Sequence, residues 1–256
     1  MNEKFGILFV SDMNFIPFAI RSIDSFCKFH STFDIFLGLI GTNEIDKETI
    51  RANVDLKDNN LFFMHSEAPV GVSTRDWAAT RRASFAIQIF ESRPELSGIL
   101  YFDVDYIFHE KVAEMIANPD FNFILRSCVN VRRDLATQSQ IENKLEDLQG
   151  GKIETAIWAG NGDDHLDINS GLIWIKNCPI NLEMLRQWEI LMMRENYAWF
   201  SDQNNLRLVL QQNLEKGLIK WKPVDRTLYN RFFHEKGPEK IQNLDNLRKK
   251  YAVKMT

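Results

Sequence analysis

The chain has 256 residues, 45% of them hydrophobic and 26% charged, with a formal net charge of −4. That balance suits a globular protein with a sizeable core and argues against a nucleic-acid binder, which needs a basic face. Cys27, Cys128 and Cys178 lie far apart and form neither a disulfide framework nor a zinc spacing, which points to a reducing, cytoplasmic compartment.

Phe5 to Val10 reads as a buried strand, stopped by the polar stretch Ser11-Asp12-Met13-Asn14. The run is too short for a signal-peptide core, and no apolar segment reaches the ~20 residues of a membrane helix. Phe15 to Phe29 carries Phe18, Ile23, Phe26 and Phe29 at helical spacing. Asp34 to Gly41 is a second strand, Asp46 to Asn53 a short helix and Leu61 to His65 a third strand. Asp76 to Phe90 is a long helix that ends before Arg93-Pro94. This strand–helix–strand rhythm predicts a parallel sheet with crossover helices.

Ile99-Leu100-Tyr101-Phe102-Asp103-Val104-Asp105 is the stretch with the most chemistry. A non-alternating apolar run predicts a strand buried on both faces. It runs into two carboxylates that an extended chain would put on one side. Such a pair repels unless a cation sits between, and magnesium or manganese takes oxygen ligands and bridges to phosphates. In open α/β sheets, ligands collect at the carboxyl ends of strands, which is where this pair falls.

Beyond it, Phe121 to Leu125 is another strand, and Arg132 to Gln149 is helical in composition. Ile168 to Ile175 reads as a strand interrupted by a small-residue turn. Leu182 to Asn196 and Asp202 to Leu214 are amphipathic helices, the second with Ser201 or Asp202 as N-cap. A short strand at Ile219 to Trp221 follows, then a loop holding His234-Glu235-Lys236-Gly237-Pro238-Glu239-Lys240, and a basic stretch from Asn246 to Lys254. No Pro/Gly-rich linker divides the chain. It reads as one domain, with a nucleotide-binding half over 1–108 and an acceptor and sugar half over 109–256.

In this order the motifs resemble the GT-A glycosyltransferases, most closely the glycogenin-like family 8 and its bacterial lipopolysaccharide α-galactosyltransferases. The resemblance implies a GT-A fold, with a central, mainly parallel mixed sheet flanked by helices. It implies that Asp12 and Asn14, in Phe9-Val10-Ser11-Asp12-Met13-Asn14-Phe15, hold the nucleotide base. Arg82, with Arg81 as an equal alternative, resembles the helix arginine near the donor. Asp103-Val104-Asp105 is similar to the metal-binding Asp-x-Asp. Asn169, in Asp167-Ile168-Asn169-Ser170-Gly171-Leu172, matches a segment that contacts the donor sugar, although the family usually has Ala where Ser170 stands. Asp202-Gln203 resembles the pair beside the reacting carbon. His234-x-x-Gly237-Pro238-x-Lys240 resembles the loop that supplies a third metal ligand and a diphosphate lysine.

The activity so implied is metal-dependent transfer of a sugar from a nucleotide-diphosphate sugar, UDP favoured, to a glycan, lipid-linked glycan or other hydroxyl acceptor. The cofactor is Mn2+ or Mg2+. Asp202-Gln203 favours retention, whereas an inverting enzyme would need a base such as Asp163, Asp164 or Asp167. The basic C-terminal tail allows weak contact with a membrane surface. The rival readings are a haloacid-dehalogenase-like phosphatase, whose Asp-x-Asp opens the fold rather than following ~100 residues of it, and a degenerate protein that only binds nucleotide sugars.

Overall fold

The computed structural model describes residues 4–127, 168–194, 201–224, 228, 231–234 and 237–252. Among them, strands β1 (Phe5–Asp12), β2 (Asp34–Ile40), β3 (Asn60–Ser66), β4 (Gly98–Phe102), β6 (Phe123–Ser127), β7 (Ile168–Lys176) and β8 (Trp221–Pro223) form one sheet in the order β3-β2-β1-β4-β7-β6-β8. The β3-β2-β1-β4 block is parallel, as the crossover rhythm predicts, and so is the β6/β8 pair. Strand β7 runs antiparallel to both its neighbours and makes the sheet mixed. A separate ribbon pairs β5 (Tyr106–Phe108) with β9 (Phe232–His234).

Helices cover both faces of the sheet. They are α1 (Ile16–Cys27), α2 (Glu44–Asn53), α3 (Thr74–Ser92), the short α4 (Ala113–Ile116), α5 (Pro179–Arg194), α6 (Ser201–Glu215) and α7 (Gly237–Ala252). Alternation along the strands feeds two cores. Ile7 and Phe9 of β1 pack with α1 on one face, and Leu8 and Val10 pack with α3, α5 and α6 on the other. Because both faces are covered, the middles of β1, β2 and β4 are apolar on both sides, and that is why they were readable as uninterrupted runs.

Element ends follow local chemistry. Helix α2 starts at Glu44, two residues before the expected Asp46, because Asn43 and Asp46 form a reciprocal capping box. Helix α3 starts at Thr74 because the Ser73 hydroxyl accepts from the Asp76 amide. The turn expected inside β7 is a bulge instead. Arg126 pairs with Asn169 while Leu125 pairs with Ile173, so three residues of β7 are taken up between adjacent positions of β6. Bulges of this kind re-aim side chains beside functional sites.

Two expectations near the Asp pair need correction. Strand β4 stops at Phe102, and Asp103 to Tyr106 forms a turn in which the Tyr106 amide donates to the Asp103 carbonyl. Two-residue alternation therefore does not govern Asp103 and Asp105. The expected loop from His234 to Lys240 is the end of β9 followed by the first turn of α7. Pro238 fits there because its missing N–H costs nothing in the first turn of a helix. The described part of the basic C-terminal stretch, up to Ala252, is the second half of α7, anchored by buried Tyr251 and by Leu244 and Leu247 packed on the core. The expected helix at Arg132 to Gln149, and Asp163, Asp164 and Asp167, lie outside the described residues.

Candidate active site

The carboxyl ends of β1 and β4 and the bulge of β7 meet at one place, and Arg82 of α3 reaches into it. Its Nη2 donates to Asp103 Oδ1 at 3.0 Å. Its Nη1 donates to Asp202 Oδ2 at 2.6 Å and to the Ser170 hydroxyl at 2.9 Å. Ser170 in turn donates to Asp202 Oδ2 at 2.7 Å. The guanidinium lies over the Tyr101 ring, 5.0 Å from its centroid, and the Tyr101 hydroxyl donates to Asp103 Oδ1 at 2.6 Å. One cation thus ties α3, β4, β7 and α6 together.

Burial works against the Arg82 charge, but Tyr101, Asp103, Asp202 and Asp105 around it hold its pKa above the ordinary value. Burial pushes Asp202 up, opposed by Arg82 and the Ser170 hydroxyl. Burial also raises the Tyr101 phenol well above its ordinary range, so it stays protonated and donates. Asp105 is 3% exposed, whereas the Asp103 side chain is 26% exposed. The pair is therefore unequal: Asp103 faces the opening and Asp105 lies beneath it.

Glycine at 171 is what lets Asp103 sit where it does. A Cβ there would lie 2.5 Å from Asp103 Oδ2 and 2.9 Å from Asn169 Oδ1. The Asp103 amide donates to the Gly171 carbonyl at 2.8 Å, and the Gly171 amide donates to Asn169 Oδ1 at 3.0 Å. Asn169 Nδ2 lies 3.4 Å from Gln203 Oε1. Asp202 itself is 2% exposed, and its carbonyl accepts from Trp188 Nε1 at 2.8 Å. Of the Asp202-Gln203 pair, Gln203 is the one with solvent access.

At the mouth of β1, Asp12 caps the following 3-10 turn by accepting from the Asn14 and Phe15 amides at 2.8 and 3.1 Å. Burial raises its pKa, against those two amides and the Thr74 hydroxyl. Asn14 is exposed beside it, and Arg248 of α7 donates to the Asn14 carbonyl at 3.4 Å.

Sequence comparison finds no matching family model and no matching curated protein. Solved structures do match. The galactosyltransferase LgtC, in complex with donor and acceptor sugar analogs, aligns with a TM-score of 0.55 at 15% identity, over 97% of this chain and 95% of its own. The apo form of the glycosyltransferase GlyE of Streptococcus pneumoniae TIGR4 gives 0.54 at 14% identity, over 89% of this chain and 46% of its own. Mouse xyloside xylosyltransferase 1 gives 0.52 at 12%, over 87% and 85%. The fold is that of the GT-A glycosyltransferases. The chain spans just under half of GlyE but nearly all of LgtC.

On this GT-A frame, Arg82, Asp103, Val104, Asp105, Asn169, Asp202 and Gln203 come together from segments up to 120 residues apart. Of the two candidate arginines, Arg81 turns away, 3.3 Å from Glu189 of α5. His234 closes β9 with its Cα opposite Tyr106, one residue past Asp105. That register brings its backbone to the Asp-x-Asp turn, and Gly237 and Lys240 follow in the first turn of α7. The side chains of His234 and Lys240 lie outside the described residues. Among those described, no three His, Cys, Asp or Glu side chains form a metal cage. Tyr101 and Ser170 were not singled out in the sequence. The one available signal was a hydroxyl at 170 where the family usually has a methyl group.

Proposed function

We propose that the protein is a metal-dependent glycosyltransferase. It takes a sugar from a nucleotide-diphosphate sugar, UDP favoured, and passes it with retention to a glycan or other hydroxyl acceptor. The observation that carries this reading is the gathering of carboxyl groups at the Arg82 cluster. Asp103, Asp105 and Asp202 all lie close enough to the Arg82 guanidinium to hold up its charge, at the carboxyl end of β4. A site so rich in carboxylate oxygens suits a hard divalent cation. Asp103 and Asp105 would hold it. His234 and the donor phosphates would complete the set, because the two carboxylates alone leave it short of ligands.

Manganese or magnesium held there supplies Lewis acidity that makes the nucleotide diphosphate a competent leaving group. The protein's own part is binding and orientation. Asp12 and Asn14 receive the base at the mouth of β1. Lys240 and the backbone at Gly237 would meet the diphosphate, where a fixed positive charge stabilises the departing oxygens. Asn169 and Gln203 offer amides to the sugar. Asp202 holds Arg82 and fixes the first turn of α6, so that Gln203 lies beside the reacting carbon.

The phosphatase reading is not favoured, because Asp103 is already engaged by Tyr101 and Arg82 and the structural neighbours are glycosyltransferases. No described helix is long and apolar enough to cross a membrane. Exposed Lys249 and Lys250 on α7 suit weak contact with an anionic membrane surface.

A thermal-stability panel tests the reading. UDP-, GDP- and ADP-sugars are added with and without manganese, since a ligand that binds only the native state raises its midpoint. The expected result is a manganese-dependent shift with a UDP-sugar. No shift with any nucleotide sugar, together with release of phosphate from an aryl phosphate, would overturn it.

A further inference from the structure

Tyr101 is 2% exposed and packs in the core beneath α3. A phenol buried so deeply needs a partner for its hydroxyl. It finds one in Asp103 Oδ1, at 2.6 Å. Arg82 Nη2 donates to the same oxygen at 3.0 Å. The second oxygen, Oδ2, rests against Gly171, where only a hydrogen fits. Nothing among the described residues donates to it. The two oxygens of this carboxylate are therefore unequal, one held by Tyr101 and Arg82 and one without a donor among the described residues.

Arg–carboxylate pairs prefer a two-pronged fork. That fork does not form here. Arg82 Nη1 is taken by Asp202 and Ser170, and the Tyr101 hydroxyl pins Oδ1 from a second direction. We propose that Tyr101 is a positioning residue that keeps Asp103 Oδ2 free for a divalent cation by holding Oδ1 away from a fork with Arg82. The inference rests on the donor-site reading above. It adds a residue that the Asp-x-Asp pattern does not contain. If Tyr101 merely filled the core, its ring would suffice and its hydroxyl would be dispensable.

Tyr101→Phe separates the two roles, since it keeps the ring under Arg82 and removes one oxygen. Manganese is titrated by calorimetry into wild type and variant with UDP present, and thermal midpoints are read with and without manganese and UDP. The expected result is a ten- to hundredfold weaker manganese affinity, the usual cost of losing a partner behind a metal ligand. The midpoint shift conferred by manganese and UDP shrinks accordingly. A variant whose manganese affinity stays within twofold of wild type, and whose midpoint falls equally with and without ligand, overturns the inference alone. A wild-type protein that binds no manganese in the presence of UDP overturns the donor-site reading and this inference with it.

Discussion

Arg82 Nη1 donates to Asp202 Oδ2 across 2.6 Å and so joins α3 to the first turn of α6, with the Asp202 side chain only 4% exposed. The two residues are 120 positions apart in sequence. Breaking a buried pair from one side leaves an uncompensated charge, which costs about 3–5 kcal/mol. Arg82→Ala is therefore expected to lose roughly that much stability, since it strands Asp202 and Asp103 together. Arg82→Lys keeps the charge but cannot serve two carboxylates from separate nitrogens, and should fall between. Urea denaturation of the three proteins reads the order directly. An alanine variant as stable as wild type would show that the cluster does not need its cation.

Gly171 gives a second, independent handle on Asp103. Its backbone is not in the left-handed region, so crowding is the whole effect of adding a methyl group. The atom crowded most is Asp103 Oδ2, with Asn169 Oδ1 next, and the carboxylate cannot swing aside without breaking its bonds to Tyr101 and Arg82. Gly171→Ala should therefore cost about 1–3 kcal/mol, the range for overpacking. It should also abolish the manganese-dependent thermal shift with nucleotide sugar. A variant that is destabilised yet keeps the full ligand shift would mean that Asp103 Oδ2 has no part in holding the ion.

The strands were legible because burial on both faces leaves no polar interruption, as in β2, where every residue is buried. The candidate cluster was legible in its carboxylates and in Arg82 as one of two arginines, but not in the two hydroxyls. Asp103, Asp105 and Asp202 stand in short recognisable strings, but the roles of Tyr101 and Ser170 exist only once α3 is laid across β4 and β7. Geometry after Phe102 was misjudged because a period of two holds only while the chain stays extended, and the turn at Asp103 ends that. The His234 segment was misjudged because Gly-Pro suits a free turn and the start of a helix equally well. Here α7 continues for about three more turns on the strength of Leu244, Leu247 and Tyr251.

His30 supplies a test of stability against pH, away from the site. It is 1% exposed and stacks on Phe26 at 4.1 Å. Its Nε2 accepts from the Val112 and Ala113 amides at 3.1 Å each, and Nδ1 donates to the Phe26 carbonyl at 3.1 Å. That arrangement requires the neutral ring. Burial lowers its pKa below the usual 6.5, against the Phe26 carbonyl and nearby Glu114, with Lys111 adding to the lowering. In the unfolded chain the imidazole takes up a proton as pH falls through about 6.5, while the folded protein resists. Stability is therefore full above that pH and declines as pH falls from it toward the lower folded value. His30→Gln can still accept from both amides but does not titrate. Its melting midpoint should start lower at pH 7 and fall less between pH 7 and 5 than that of wild type. Parallel declines would assign the effect to another group.

The last prediction concerns His234. Its Cα is in register with Tyr106, directly after the buried Asp105, and the first turn of α7 begins three residues later. The β5/β9 ribbon thus ties the C-terminal segment to the Asp-x-Asp turn by backbone pairing alone. The proposed function takes its third metal ligand from this strand end, and the alternative is a strand end with no part in chemistry. His234→Ala should leave the fold intact, because the ribbon's hydrogen bonds come from the main chain. At limiting manganese it should lower the initial rate of sugar transfer by about ten- to hundredfold, as losing a metal ligand or its partner does. Excess manganese should recover part of that loss, since a weakened site still fills by mass action. The two pictures therefore separate in the manganese titration and not at one concentration. A variant whose rate matches wild type at every manganese level would leave the ribbon structural and return the third ligand to solvent or phosphate.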